Sequence, residues 1–431
     1  MKPRTVTILW IVAIALGAAV FFMKQNQGGP DKNVTARAPG EKLIPDFPAT
    51  KTATIVISGA EQSVTLEQKD GKWMVAERDG FPANSRNIND LLRTLADLKV
   101  TQSIEAGPSF APRFGMDEKS SDPAARGITA IFKDATGKEL SEISFGKNLD
   151  ATAASSPFSG GGVTGRYVRN HADQSGFYAV SEAFGTLTTD PKSWLADDFI
   201  KVEKIQSVSL TKPGSDANEY ALVRDDETSE FKFTDAFPGV KIDPAATSPL
   251  KSLFSFAHFE DVVPAAKIAE RATPDKLQKV IITTFEGFTY YISLQPAKAT
   301  TPAEKGEAAP AAAEEYLLQV KASAELPKQR KKPEGEKPEE AEAADKAFAA
   351  RLKTLTESLE TAKALEGRTF LVSKFTVAPL LKGRAELMSK SPIPGAEAPA
   401  LPPSTSAFTP PVEIPVRPTP KAPAPEQPEQ K

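Results

Sequence analysis

The sequence predicts an α+β protein: two tandem copies of an antiparallel sheet-plus-helix unit behind a single N-terminal transmembrane helix. Three observations carry this. Val6 to Met23 is an uncharged apolar run of 18 residues, close to the roughly 20 that cross a hydrocarbon core. From Ala53 onward, short alternating apolar stretches are punctuated by Gly, Asp and Lys turns, the pattern of half-buried strands. The order of elements between Ala53 and Ser181 then recurs between Ile205 and Ser373.

The apolar run is read as an uncleaved anchor, residues 1–24. Lys2 and Arg4 precede it, so the positive-inside tendency leaves the N-terminus in the cytoplasm and places the bulk outside, in the periplasm of a bacterial inner membrane. A cleaved signal peptide is the rival reading, but its apolar region runs about 7–15 residues. Here the run is longer and ends in Phe21, Phe22 and Met23, although Gly17, Ala18 and Ala19 offer small residues for cleavage. Thr7 is its one polar residue, so the segment places the protein and has no proton relay of its own.

Residues 25–51 are polar and Pro-containing without a period, and are expected to be a flexible tether. Asn33-Val34-Thr35 matches a glycosylation sequon by chance. The first α+β copy spans 52–200. Strands are expected at Ala53–Ile57, Val64–Gln68 and Trp73–Val75, the last pair joined by the hairpin turn Lys69–Lys72. A helix capped by Asn84 or Ser85 follows, with Ile88, Leu91, Leu92, Leu95 and Leu98 forming one stripe. Further strands are expected at Ile128–Phe132, Leu140–Phe145, Arg166–Arg169 and Phe177–Ser181.

The second copy spans 201–388. Its strands are expected at Ile205–Leu210, Tyr220–Val223, Glu230–Phe233, Val280–Phe285, Thr289–Leu294, Glu315–Val320 and Phe370–Ser373, with a helix at Ser248–Phe259. A Lys/Glu-rich insertion, 328–367, opens with a charged stretch and continues as a helix over Ala341–Leu365. Phe348, Leu352, Leu355, Leu359 and Ala362 form a heptad-like seam along it. Packing on its own domain is the preferred reading of this seam; pairing with a partner helix is the alternative. Residues 389–431 hold 13 prolines and are expected to be a disordered, polyproline-rich tail.

The chemistry is sparse. Cysteine is absent, so no disulfide or thiolate site stabilises the fold. A net charge of −3 gives no reason to expect nucleic acid or anionic lipid as a partner. The two histidines, His171 in a turn and His258 at a helix end, are read as solvated and as partly buried. Asp197-Asp198 and Asp225-Asp226 lack the opposed environments of an acid/base pair, and Asp225-Asp226 suits a hairpin turn. Trp73, Trp194 and the Phe254–Phe259 stretch are assigned to the core. Ser159-Gly-Gly-Gly162 lacks the Lys-Ser/Thr of a phosphate loop. No catalytic, cofactor or metal residues are expected.

One further pattern concerns the strand–hairpin into Lys72-Trp73-Met74-Val75, the Pro82/Ala83-led helix ending Leu95-Ala-Asp-Leu98, and the junction Asp190-Pro-Lys-Ser-Trp-Leu-Ala-Asp-Asp-Phe-Ile200. Together these resemble the DUF4340 family of bacterial membrane-anchored proteins, well over residues 50–265 and more weakly to about 385. The resemblance implies a place beside ABC transporter components of the gliding-motility type. The insertion and the tail depart from the family pattern. The expectation is a non-enzymatic, single-pass accessory or scaffold of a membrane complex, with an ABC-type exporter as the machine the resemblance implies, anchored to the membrane and holding a protein partner. The alternative is a periplasmic binding module with a peptide, glycan or lipid between the copies. A hydrolase ranks third.

Overall fold

In the computed structural model, residues 37–117, 119–150, 163–173, 176–235, 241–299, 314–330, 332 and 336–389 are described. The first half of the chain supplies β1 (Thr54–Ser58), β2 (Ser63–Lys69), β3 (Lys72–Val75), β4 (Phe81–Pro82), α1 (Ser85–Asp97), β5 (Val100–Glu105), β6 (Ile128–Lys133), β7 (Glu139–Asp150), β8 (Val163–Asn170) and β9 (Gly176–Val180). The second supplies β10 (Ile205–Thr211), β11 (Asn218–Val223), β12 (Lys232–Phe233), α2 (Pro244–Lys251), β13 (Asp261–Val263), α3 (Ala265–Arg271), β14 (Gln278–Thr284), β15 (Phe288–Pro296), β16 (Glu315–Ala324), α4 (Pro338–Ala364), β17 (Thr369–Ser373) and α5 (Lys374–Val377).

These strands form two antiparallel sheets. The first is ordered β4-β3-β2-β1-β6-β7-β8-β9-β5 and the second β12-β11-β10-β14-β15-β16-β17-β13. With β4 set aside, the two orders are the same. In each, the strand after the helix joins the far edge, beside the last strand. The helix therefore carries the chain from one edge of the sheet to the other. Alternation decides the faces: Ile55, Ile57, Val64 and Leu66 turn inward in one sheet, and Val208, Leu210, Val280 and Ile282 in the other, all buried. Ile88, Leu91, Leu92 and Leu95 of α1 are likewise buried, and the Asn84 side chain accepts from the Asn87 amide to cap the helix.

Both inner faces contribute to one continuous hydrophobic core. Phe81 of β4, Phe199 of the junction, Phe259 and Phe370 of β17 close it, with ring centroids 5.0–5.9 Å apart. Arg78 adds a two-pronged bond to Asp261, at 2.6 and 2.9 Å. The two repeats are thus not separately cored.

Four expectations need correction. Residues 37–51, expected in the tether, are built into the fold. Leu43 and Phe47 are buried, and Leu43 N–H donates to Leu98 O at 2.8 Å. Apolar residues without a period carry no strand or helix signal, yet they still cover a core edge. The second helix is Pro244–Lys251 rather than Ser248–Phe259, because Asp243 caps it by accepting from the Ala245 amide with Pro244 at the first position. Leu253 and Phe254 are buried all the same, in the turns that follow. β5 and β13 were not anticipated, being polar or very short edge strands. His258 is exposed, not partly buried.

Among the described residues no helix is long and apolar enough to cross a membrane. The expected anchor at 6–23 and the tail beyond 389 lie outside them.

Candidate functional site

The helix α4 lies on the second sheet and creates a concavity with it. Its seam faces its own domain: Leu355 and Ala362 are buried, Leu359 packs against the core, and Phe348 and Leu352 are half-buried. This fits the preferred reading of the seam and removes most of it from any partner. A solitary helix with so narrow a stripe is marginal in water, and here the sheet supplies the missing apolar surface.

Between α4 and the sheet is a cavity of about 460 Å³, with Phe199, Ile200, Phe288 and Tyr290 on one side and Leu355 and Ala362 on the other. A second cavity, about 310 Å³, adjoins Phe285, Phe348 and Leu352. Glu286 and Leu355 border both. Glu286 receives Lys204 at 3.0 Å and Arg351 of α4 at 3.1 Å, so it ties the helix, the start of β10 and the β14–β15 turn together. The Tyr290 phenol is pushed up to about 12, first by burial and then by the negative charges of Glu286 and Glu203. At the other end of α4, Arg330 bonds Glu336 at 2.6 Å and Asp345 at 2.8 Å. The larger cavity has the size and mixed lining of a small-molecule site.

A second constellation was missed in the sequence. Glu142 and Ser144 are two apart on β7 and share a face. The His171 amide donates to Glu142 O at 3.1 Å, which holds the imidazole over that strand. His171 Nε2 lies 2.7 Å from Ser144 Oγ, Nδ1 lies 3.7 Å from Glu142 Oε1, and Thr129 Oγ1 lies 2.9 Å from Ser144 Oγ. His171 is therefore not a solvated turn residue. The order Ser–His–Glu is that of a nucleophilic triad, but other features differ. Ser144 is only 6% exposed, and its hydroxyl is held from two sides. The ladder pairs Ser144 with Thr129 on one side and Arg169 on the other, leaving no local nest of free amides for an oxyanion. The Nδ1–carboxylate distance also exceeds a hydrogen bond. The arrangement is a polar staple across β6, β7 and the end of β8. The alternation of Glu142 and Ser144, with a histidine closing the next strand, was its only trace in the sequence.

Asp226 accepts from the amides and hydroxyls of Thr228 and Ser229, which hold its carboxyl well below the usual range; it is a turn residue, as expected. Trp73, Trp194 and Phe254 are core side chains and Phe259 packs against the core, but Phe256, expected in the core with them, is 88% exposed. Among the described residues no group of three or more His, Asp or Glu side chains is arranged to hold a metal ion.

Comparison with curated proteins and with solved structures returns no match. A family model described as Domain of unknown function (DUF4340) matches residues 73–279, from β3 through the junction and α1 and α2 into β14, and the chain carries a domain of that family.

Proposed function

We propose that this protein is a non-enzymatic, single-pass, extracytoplasmic accessory or scaffold of a membrane complex, with an ABC-type exporter as the machine to which the family resemblance points. What supports the reading is how the chain enters the body. Arg37 pairs with buried Asp173 at 3.4 Å, Tyr178 donates to Asp173 at 2.7 Å, and Asn170 donates to Leu43 O at 3.2 Å. Thirteen residues separate this clamp from the end of the apolar run at Met23. Whatever holds that run holds the body at short range. Crosslinking in intact membranes, followed by detergent solubilisation, tests the proposal. Recovery in adducts with integral membrane proteins is expected; recovery solely as a monomer, or in the soluble fraction, overturns it.

A second reading, a binding module for a peptide, glycan or lipid, draws on the cavity beneath α4. The contact between the sheets is filled by the four-phenylalanine cluster, so the ligand would sit beside one sheet rather than between the copies. Native mass spectrometry of detergent-extracted protein tests this reading. A co-purifying ligand lost in Leu355→Trp supports it, and ligand-free protein counts against it.

A further inference from the structure

The outer face of the first sheet, remote from the shared core, carries a second cluster of rings. Phe114 packs 5.1 Å from Tyr167 and 4.8 Å from Phe177. The short 3₁₀ segment Pro108–Phe114 is brought onto this face because Gly146 of β7 has no side chain: a Cβ there would lie 2.0 Å from Phe114 O. The same approach opens a cleft of about 410 Å³ bordered by Phe110, Arg113, Phe114, Lys147 and Tyr167.

Three cations on this face lean on rings and not on carboxylates. Arg113 lies 5.9 Å from the Phe110 centroid, Lys147 6.0 Å from Tyr167, and Arg169 5.6 Å from Phe177. None of the three has an ion pair within 4.0 Å among the described residues, a state they share with Arg86, Arg126, Arg166, Arg224 and Arg368; what distinguishes them is their gathering around one cleft and its rings. Among the described residues, Glu105 is the one carboxylate bordering the cleft. Phe110 is 42% exposed. Free cations beside a solvent-facing aromatic ring form the combination that suits a lipid–water interface, where rings enter the headgroup layer and cations meet phosphates.

The chain's own path supplies the occupant. Arg37 O accepts from the hydroxyl of Ser103, and Ser103 lies between Gln102 and Ile104, both of which border the cleft. Ser103 itself pairs with core Tyr178 and faces away from the cleft, so the first described residue sits at the β5 edge of the same sheet, on the opposite face. The 13 residues back to Met23 reach at most about 50 Å at full stretch.

We infer that the Phe110–Arg113–Lys147–Tyr167 face is a membrane-seating surface that binds anionic phospholipid headgroups of the leaflet from which the chain emerges. The inference rests on the anchor reading of Val6–Met23. Seating through two contacts, an apolar run and a cationic face, would hold the first sheet in a defined orientation on the bilayer.

The absence of cysteine makes the test direct. The full chain carrying Phe110→Cys is labelled with a thiol-reactive bimane and reconstituted into vesicles of phosphatidylcholine, alone or mixed with phosphatidylglycerol, that contain a headgroup nitroxide quencher. Tyr291→Cys, at an exposed ring of the second sheet, is the reference. Quenching at 110 is expected to exceed that at 291 several-fold in the anionic vesicles. The excess should shrink at high salt, in phosphatidylcholine alone, and when Arg113→Glu and Lys147→Glu are added. Equal quenching at the two positions in protein that resists carbonate extraction overturns the seating and leaves the anchor intact. Protein stripped by carbonate overturns the anchor and the seating with it. Inorganic phosphate that abolishes the excess, where chloride of equal ionic strength does not, assigns the cations to a soluble anion and overturns the lipid assignment.

Discussion

Arg78 and Asp261 join the two sheets through charge-assisted hydrogen bonds between side chains only 14% and 21% exposed. A pair so placed is worth more than an exposed one. Asp261→Asn is predicted to cost about 1.5–3 kcal/mol in urea unfolding; a loss below about 0.5 kcal/mol would class it with surface pairs. Tyr290 gives a pH signature. Its folded pKa of about 12 lies above the ordinary value of 10.0, so the unfolded chain sheds the phenolic proton first. The stability held by Tyr290 is complete below pH 10 and is lost as pH rises from about 10 to 12. Tyr290→Phe should lose stability less steeply across that window, read by urea titrations at successive pH values; matching slopes would contradict the assignment. Buried Tyr220, also raised, is present in both proteins and cancels in the comparison.

At the scale of elements, α1 was legible because its stripe is regular and its cap is adjacent. The second helix was misplaced because apolar spacing over Ser248–Phe259 outweighed the stronger start signal of Asp243-Pro244. Phe254 adopts φ 63°, which breaks the helical path while leaving its ring in the core. α4 was placed within three residues at its start and one at its end, but whether its seam faced a partner or its own sheet was open in the sequence. Burial along it is uneven: Leu355 and Ala362 are buried, while residues 338–350 hold no buried side chain. Amide exchange is therefore predicted to be slow over the last three turns and fast over the first three; uniform protection would show that the N-terminal half is held by something else. Leu355→Ala should cost about 2–5 kcal/mol, and Phe348→Ala, at a half-buried position, markedly less in the same denaturant series.

At the scale of the molecule, the two sheets share one core, and this has a measurable consequence. Phe370, fully buried, touches Phe81, Phe199 and Phe259. Phe370→Ala is predicted to cost about 3–5 kcal/mol and to lower amide protection in β1 and in β10 together. Loss confined to the second sheet would show that the halves unfold independently.

The sequence by itself determined the order of the main strands, its recurrence, the capped α1 stripe and the family that residues 73–279 match, because periodicity and turn chemistry are local. The missing thiols were equally plain, and so was the apolar run at 6–23. Tertiary structure alone decided the rest, since it depends on residues far apart in the chain. It packed residues 37–51 against the first sheet's core edge, fused two repeats into one core, and turned the α4 seam inward. It set His171 against Ser144. It also gathered Arg113, Lys147 and Arg169 on one face of a chain whose net charge of −3 reveals no such patch, because a sum over the chain carries no information about where charges meet.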